Sequence, residues 1–210
     1  MVATLVNMPG PAQARVFLFP MLAALVALTL TMMVIAMARA QGIAPTMLLR
    51  DPAAEFELPF YTGALSYLSQ ALLLATGAIA AFTLVILKGR SLPLAVVALM
   101  SGLMYCDDLF MLHEKVAPYY LGIPPVVFPL FYGICVVSIA PALLRDREDR
   151  ARNLGFLVPF AFLGAAVGAD ILHDIWGLGG YAFEDGFKMA GFAAWLAFWT
   201  GFSAQRISET

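Results

Sequence analysis

The chain has 210 residues, of which 62% are hydrophobic and only 12% are charged, and its mean hydropathy is +0.86. An average soluble domain is about 45–50% apolar and about 25% charged, so this composition excludes a soluble globular protein and indicates an integral membrane protein. The net charge of −2 also makes nucleic acid an unsuitable partner, because nucleic-acid binding depends on a basic surface.

Six apolar segments follow one another along the chain, each long enough for the ~20 helical residues that cross a hydrocarbon core of ~30 Å. They cover residues 16–38, 64–87, 92–114, 126–144, 154–176 and 184–204. Hydrophilic breaks such as KGR and RDREDRAR separate them,. The sequence therefore predicts an all-α integral membrane protein, a bundle of six transmembrane helices that forms one domain over residues 1–210.

Positive charge predicts the orientation of this bundle, because cytoplasmic loops carry an excess of Lys and Arg. The side that would hold both termini has eight of these residues, and the opposite side has four. Both termini are therefore expected in the cytoplasm, with the protein in a bacterial-type inner membrane. The outer, periplasmic side would hold ten of the fourteen acids, an accumulation that topology alone does not explain.

Two strings of acids and histidine fall at matching depth in the third and fifth segments. They are DDLFMLHE at 107–114 and DILHD at 170–174, and they contain both histidines of the chain, His113 and His173. At about 1.5 Å per residue, the first acid of each string lies about 23–24 Å along its helix. Ionised acids at that depth cost several kcal/mol each unless they are compensated. A positive group or bound protons must therefore accompany them.

The first interpretation of the two strings is a metal site. Asp170, His173 and Asp174 fall on one face of one helical turn,, and the Asp-x-x-His step imitates the Glu-x-x-His step of di-iron and di-manganese helix bundles. Mixed carboxylate and imidazole ligands suit iron, manganese or zinc. One or two such ions would be held by six residues: Asp107, His113, Glu114, Asp170, His173 and Asp174.

A metal site of this kind predicts a membrane enzyme, either an oxidoreductase or a hydrolase, that acts on a lipid-like substrate at the bilayer surface. Asp108 or Glu184 would orient a ligand or act as general base for a metal-bound water. Lys188 would stabilise a developing anion. The chain has no GxSxG, HExxH, Walker or GxGxxG motif, so the usual local signatures of serine hydrolysis, zincin proteolysis and nucleotide chemistry are missing.

Two alternatives need no metal. Intramembrane Asp, Glu and His residues are typical of proton and cation pathways, which predicts a proton- or cation-coupled carrier. The same residues can instead form a structural network of ion pairs and caps at the helix ends, since Glu184 and Asp185 suit a helix start,. In that case the protein would be a structural subunit that associates with other membrane proteins through segments such as GFAAWLAFWTGF.

Overall fold

The structure, a computed structural model, describes residues 11–44, 47, 52–59, 61–145, 153–176 and 181–209. Within these ranges, the structure does not describe the side chains of residues 11–20, 23, 27, 54, 55, 170, 174–176, 181 and 182. Every regular element in these ranges is a helix, and no strand occurs in them. The prediction of an all-α protein is confirmed for this part of the chain.

The chain divides into two compact units, Met1–Thr62 and Gly63–Thr210. The first unit contains helices α1 (Pro11–Ala40) and α2 (Pro52–Glu55) in its described part. Most described side chains of α1 are exposed and apolar. The chain leaves α1 through Gly42, whose φ of 74° is a left-handed conformation that glycine adopts without steric cost,.

The second unit is built from long helices. In its described part these are α3 (Ala64–Ile86), α4 (Leu92–Phe110), α5 (Val127–Leu144), α6 (Leu157–Trp176) and α7 (Tyr181–Ser208). A π-helix (Leu112–Leu121) follows α4, and a short 3-10 helix (Leu154–Phe156) precedes α6. Pro93 lies in the first turn of α4, where its missing N–H leaves no hydrogen bond unmade,.

The helices of the second unit pack against one another in the order α5, α4, α3, α7 and α6. Trp195 and Trp199 of α7 are fully buried in the core, and the indole N–H of Trp195 donates to the Ser101 hydroxyl of α4 at 2.9 Å. Gly191 lets α6 approach α7 closely, because a Cβ at this position would lie 2.7 Å from Cδ2 of Leu163. Small residues serve this purpose in many membrane helix pairs.

Four helices in the described part of the chain are long and apolar enough to cross a membrane. They are Ala64–Ile86, Leu92–Phe110, Val127–Leu144 and Leu154–His173. Large apolar side chains such as Leu130 and Ile134 are more than half exposed on them, and lipid would cover such a surface. These helices are compatible with membrane insertion. The predicted bundle of six spans goes beyond these four helices and stays a prediction.

The end of α4 differs from the predicted segment, which continued to residue 114. The helix ends at Phe110, because Met111 adopts a left-handed conformation with φ 50° and ψ 46°. The π-helix starts directly after it, and the N–H of Val116 donates to the Met111 carbonyl oxygen at 3.1 Å. Left-handed residues other than glycine are uncommon, so the apolar pattern carries no signal for this turn.

Candidate functional site

The candidate site lies at the end of the second unit where α4 meets the π-helix and α7 begins. We call this the acidic end and define it by five residues: Asp107, Asp108, His113, Glu114 and Lys188. The turn at Met111 controls its geometry, because it folds the π-helix back toward the last turn of α4. His113 therefore contacts Asp107, six positions earlier in the chain. On the predicted continuous helix, Asp107 would instead have shared a face with Glu114.

Asp107 is the buried centre of the site, with a side chain that is 7% exposed. Its Oδ1 accepts the backbone N–H of His113 at 2.8 Å and lies 2.8 Å from the Nδ1 atom of the same residue. Its Oδ2 accepts the hydroxyl of Tyr132 on α5 at 3.0 Å. The backbone contact also satisfies an N–H at the start of the π-helix, where helices leave such groups unpaired. One carboxylate thus fixes both the turn and the imidazole.

His113 lies between a buried carboxylate and an exposed one. Its Nδ1 faces Asp107, and its Nε2 lies 3.7 Å from Oε1 of Glu114. An ionised carboxylate only accepts hydrogen bonds, so Nδ1 carries the hydrogen and Nε2 is the atom that gains or loses a proton. The hydrogen bond to Asp107 raises the pKa of His113 above its ordinary value, although burial opposes the rise, and the negative charges of Asp107 and Glu114 add to it.

Exposure decreases along this series of groups. The Glu114 side chain is 53% exposed, that of His113 is 31% exposed and that of Asp107 is 7% exposed. Tyr132, which is half-buried, follows Asp107 on the inner side. We call Glu114, His113 and Asp107 the relay, because they connect the surface to a buried carboxylate through two short steps. Tyr132 was not among the predicted site residues. Its polar hydroxyl within the apolar fourth segment was the available signal,.

Asp108 forms a separate contact beside the relay. Its Oδ1 accepts a hydrogen bond from Nζ of Lys188 on α7, and both side chains are mostly buried, at 11% and 26% exposure. The Oδ2 atom of Asp108 is buried and has no hydrogen-bond partner within the described part of the chain. Lys188 therefore compensates the charge of Asp108 on α4.

The second predicted string occupies another helix pair. The backbone of Asp170, His173 and Asp174 belongs to α6, and α6 packs along α7, while α4 packs along α3 and α5. The side chains of Asp170 and Asp174 lie outside the described part of the structure. The side chain of His173 is half-buried, as is that of Glu184 at the start of α7. The structure therefore describes one half of the predicted metal site and does not test the whole set.

A metal centre receives no support from the residues that the structure describes. Among them, no three His, Cys, Asp or Glu side chains are grouped so that they could hold one ion. The contacts at the acidic end are instead charge-compensated pairs, with Lys188 on Asp108 and the imidazole on Asp107. Chemically, such an arrangement can bind, hold and release a proton between an exposed and a buried carboxylate.

Comparison with known proteins places the chain in a family. Neither a curated protein nor a solved structure matches the sequence significantly. One family model matches residues 21–202, which include α3, α4, α5, α6 and most of α7. All residues of the relay, together with Asp108 and Lys188, fall inside this range. The chain therefore belongs to the family described as a domain of unknown function, DUF8692.

Proposed function

We propose that this protein is a proton-coupled membrane carrier in which the relay loads a proton at the acidic end. The observation that carries the proposal is the position of His113 between two carboxylates, of which one is exposed to solvent and the other is buried. Its Nε2 lies 3.7 Å from the exposed Glu114, and its Nδ1 lies 2.8 Å from the buried Asp107. Proton pathways in membrane proteins typically consist of a series of acids and histidines.

The proton step follows from these contacts. A small rotation of the exposed Glu114 side chain closes the gap to Nε2, and Glu114 passes a proton to that nitrogen. The imidazolium then releases the proton of Nδ1 to Oδ1 of Asp107, so that the ring ends neutral with its hydrogen on Nε2. Protonated Asp107 carries no charge, which removes the cost of an ionised acid at this depth.

The surrounding charges support proton binding at the relay. The two adjacent acids of α4 have different partners. Asp108 bonds to a lysine, whereas Asp107 contacts an imidazole and a phenol. A lysine side chain ordinarily keeps its charge at physiological pH, whereas an imidazole can gain or lose a proton there. Of the two acids, Asp107 is thus the one whose charge state follows the protonation of its partner.

The relay ends inside the bundle, which favours a carrier over a continuous proton channel. Farther along the bundle, the indole N–H of Trp195 donates to the Ser101 hydroxyl. An indole N–H only donates hydrogen bonds, so this contact cannot pass protons in both directions. A proton loaded through Glu114 therefore needs a change of conformation to leave elsewhere, as in alternating access.

The proposed orientation places the acidic end outside. We propose six spans, with α1 and α7 added to the four apolar helices, and both termini in the cytoplasm of a bacterial-type inner membrane. The distribution of Lys and Arg supports this arrangement, because the termini and their side hold eight of the twelve,. Protons would enter the relay from the periplasm.

Proton uptake by liposomes tests the proposal. The full chain is reconstituted in liposomes that contain a pH-sensitive dye, and a potassium diffusion potential, negative inside, drives proton entry. We expect uptake that falls about a hundredfold in the variants His113→Gln and Glu114→Gln, because each variant removes a proton-transfer group. Asp185→Asn is the matched control, because Asp185 is exposed at the same end. Equal rates in all proteins, or rates equal to those of protein-free liposomes, would refute the proposal.

A second candidate is a metal-dependent membrane enzyme that acts on a lipid-like substrate. It is favoured by the orientation of His113, whose Nδ1 is held by a carboxylate while Nε2 points toward Glu114. Histidines that bind metals are held in the same way by a second carboxylate. Of the six predicted ligands of iron, manganese or zinc, Glu114, His113, His173, Asp170 and Asp174 would then bind the ion, and Asp107 would hold His113.

Metal content separates the two candidates. The enzyme hypothesis expects stoichiometric metal in the purified protein and its loss in His113→Gln and in the double variant Asp170→Ala, His173→Ala. The carrier hypothesis expects voltage-driven proton uptake that does not change when a chelator is added. Since Asp108 and Lys188 already bind each other, their predicted catalytic roles would require this ion pair to open.

A further inference from the structure

A cleft with a basic rim lies at the opposite end of the second unit. Its volume is about 540 Å³, which falls within the range of 300–1,000 Å³ typical of small-molecule sites. The turn between α3 and α4 and the last turn of α7 line it, and we call this region the basic end. The cleft and the relay lie at opposite ends of α4, since Asp107 is about 23 Å along that helix from Leu92 at 1.5 Å per residue.

Three cations converge on this cleft from two different helix ends. Lys88 and Arg90 come from the turn after α3, and Arg206 comes from the last turns of α7. Among the residues of the lining that the structure describes, Glu209 is the single acid, so their net charge is 3 − 1 = +2. Like charges in one cleft repel one another, and an anion bound between them would remove this repulsion.

Arg206 is held in place before any ligand binds. Its Nη1 donates to Oε2 of Glu209 at 3.0 Å, and its guanidinium lies 5.2 Å from the centroid of the Phe202 ring. A fixed guanidinium fork loses little conformational freedom when it binds a phosphate or carboxylate. By contrast, Lys88 and Arg90 have no ion-pair partner in the described ranges of the chain.

A backbone hydrogen bond holds the turn that carries the two remaining cations. Gly89 has a φ of 76°, and its N–H donates to the Leu84 carbonyl oxygen at 2.8 Å, which closes the end of α3. Lys88 is left-handed as well, with a φ of 51°, an uncommon conformation for a residue with a side chain. Ser91, which precedes α4 and lines the cleft, makes no capping hydrogen bond with its side chain.

The walls of the cleft are apolar where they meet the outer surface of the bundle. Leu92 is 61% exposed and Ile86 is 39% exposed, and both line the cleft together with the cations. A ligand that matches this lining carries an anionic group for the rim and an apolar part for the wall. Arg and Lys together are the usual partners of phosphate oxygens.

We propose that the cleft at the basic end is a binding site for a phosphate group, which Lys88, Arg90 and Arg206 contact. The phosphate can belong to the headgroup of an anionic lipid, whose acyl chains would cover Leu92 and Ile86, or to a small free phosphate. This site is independent of the proposed carrier function. Binding at this site differs from non-specific attraction by positive charge, because it requires the particular cations that line the cleft.

Native mass spectrometry of the full chain in detergent tests this site. The probes are phosphatidic acid, phosphatidylcholine as the zwitterionic control, and inorganic phosphate. We expect wild-type protein to retain phosphatidic acid in preference to phosphatidylcholine, and the variant Lys88→Gln, Arg90→Gln to lose this binding by about tenfold or more. The matched control is Arg145→Gln, which removes an exposed charge after α5 that does not line the cleft.

Each outcome decides the proposal. Loss of binding in the cleft variant but not in Arg145→Gln supports the site, and displacement of the lipid by millimolar phosphate would assign it to a free phosphate. Equal loss in both variants would show bulk electrostatic attraction and overturn the proposal, as would binding that neither change affects. The variant Lys88→Arg, Arg90→Lys changes the same two positions but keeps both charges. If it still binds phosphatidic acid, the loss in the glutamine variant is due to the missing charges and not to misfolding.

Discussion

His113 and Asp107 contact each other twice through a single carboxylate oxygen. Both the backbone N–H and the Nδ1 atom of His113 lie 2.8 Å from Oδ1 of Asp107. The first contact fixes the turn that ends α4, and the second fixes the orientation of the imidazole. A proton gained or lost by His113 therefore acts on the same atom that anchors the π-helix, so protonation and local structure are coupled.

The first prediction concerns the charge of Asp107. Asp107→Asn removes the negative partner of His113, and an opposite charge at hydrogen-bond distance shifts a pKa by about 1–3. We expect the pKa of His113 to fall by about 1 or more, measured by NMR of ¹⁵N-labelled histidine, with a His173→Gln variant to assign the two rings. The control is Asp108→Asn, whose carboxylate bonds to Lys188 instead. A His113 pKa that is the same in both variants would contradict this geometry.

The second prediction concerns the phenol that supports the buried carboxylate. Tyr132→Phe removes the hydrogen bond to Oδ2 of Asp107, and a hydrogen bond to a charged group contributes about 1.5–3 kcal/mol. We expect a loss of about 2 kcal/mol in the free energy of unfolding, measured by reversible denaturation in mixed micelles. Tyr105→Phe serves as the control, since no hydrogen bond of its hydroxyl is found in the described part of the chain. Equal losses in the two variants would argue against the contact.

The third prediction concerns the ion pair between α4 and α7. Lys188→Met leaves the mostly buried carboxylate of Asp108 without its cation, and breaking one partner of a buried pair costs about 3–5 kcal/mol. We expect the double variant Asp108→Leu, Lys188→Met to regain most of this stability, because no uncompensated charge remains. A double-mutant cycle measures the coupling. Additive losses of stability would show that the two side chains do not interact.

The fourth prediction concerns the contact between α6 and α7. Gly191→Ala adds a Cβ that would lie 2.7 Å from both Cγ and Cδ2 of Leu163, so the helices must separate or the leucine must move. Overpacking of this kind costs about 1–3 kcal/mol. Gly201→Ala on the same helix is the control, because a Cβ there meets nothing within 4 Å. A Gly191→Ala protein that is as stable as the Gly201→Ala protein would disagree with this packing.

Composition and apolar runs predicted the helical membrane character of the chain, because burial in lipid requires long uncharged helices with every backbone group satisfied internally. The same pattern could not show that α4 ends at Phe110, since Met111 is an ordinary apolar residue that adopts a left-handed conformation. The side chain of Asp107, six positions before His113, supports this turn. Helical periodicity does not represent contacts of that kind.

Sequence spacing selected the acids and histidine of the acidic end but did not pair them. The partners of Asp107 and Asp108 come from the π-helix, α5 and α7, so their identity depends on helix packing rather than on position along one helix. Lys188 illustrates the difference. Its ammonium bonds to a carboxylate 80 positions earlier in the chain.

The fifth prediction is a pH dependence of stability that originates at His113. The contact with Asp107 raises the pKa of His113 in the folded protein, so the folded state binds this proton more tightly than the unfolded state does. Its contribution to stability is fully present below the unfolded value of about 6.5, and it is lost as the pH rises through the higher folded pKa.

Thermal denaturation of wild-type protein and of His113→Gln across this range isolates the effect. The difference in stability between the two proteins should be largest below the unfolded pKa of histidine, as long as Asp107 stays ionised. It should shrink as the pH rises through the folded pKa of His113. Glutamine can still donate a hydrogen bond to Asp107 but does not titrate, so the variant keeps the packing and removes only the proton. A stability difference that stays constant with pH, or grows as the pH rises, would exclude a protonated His113 as the partner of Asp107.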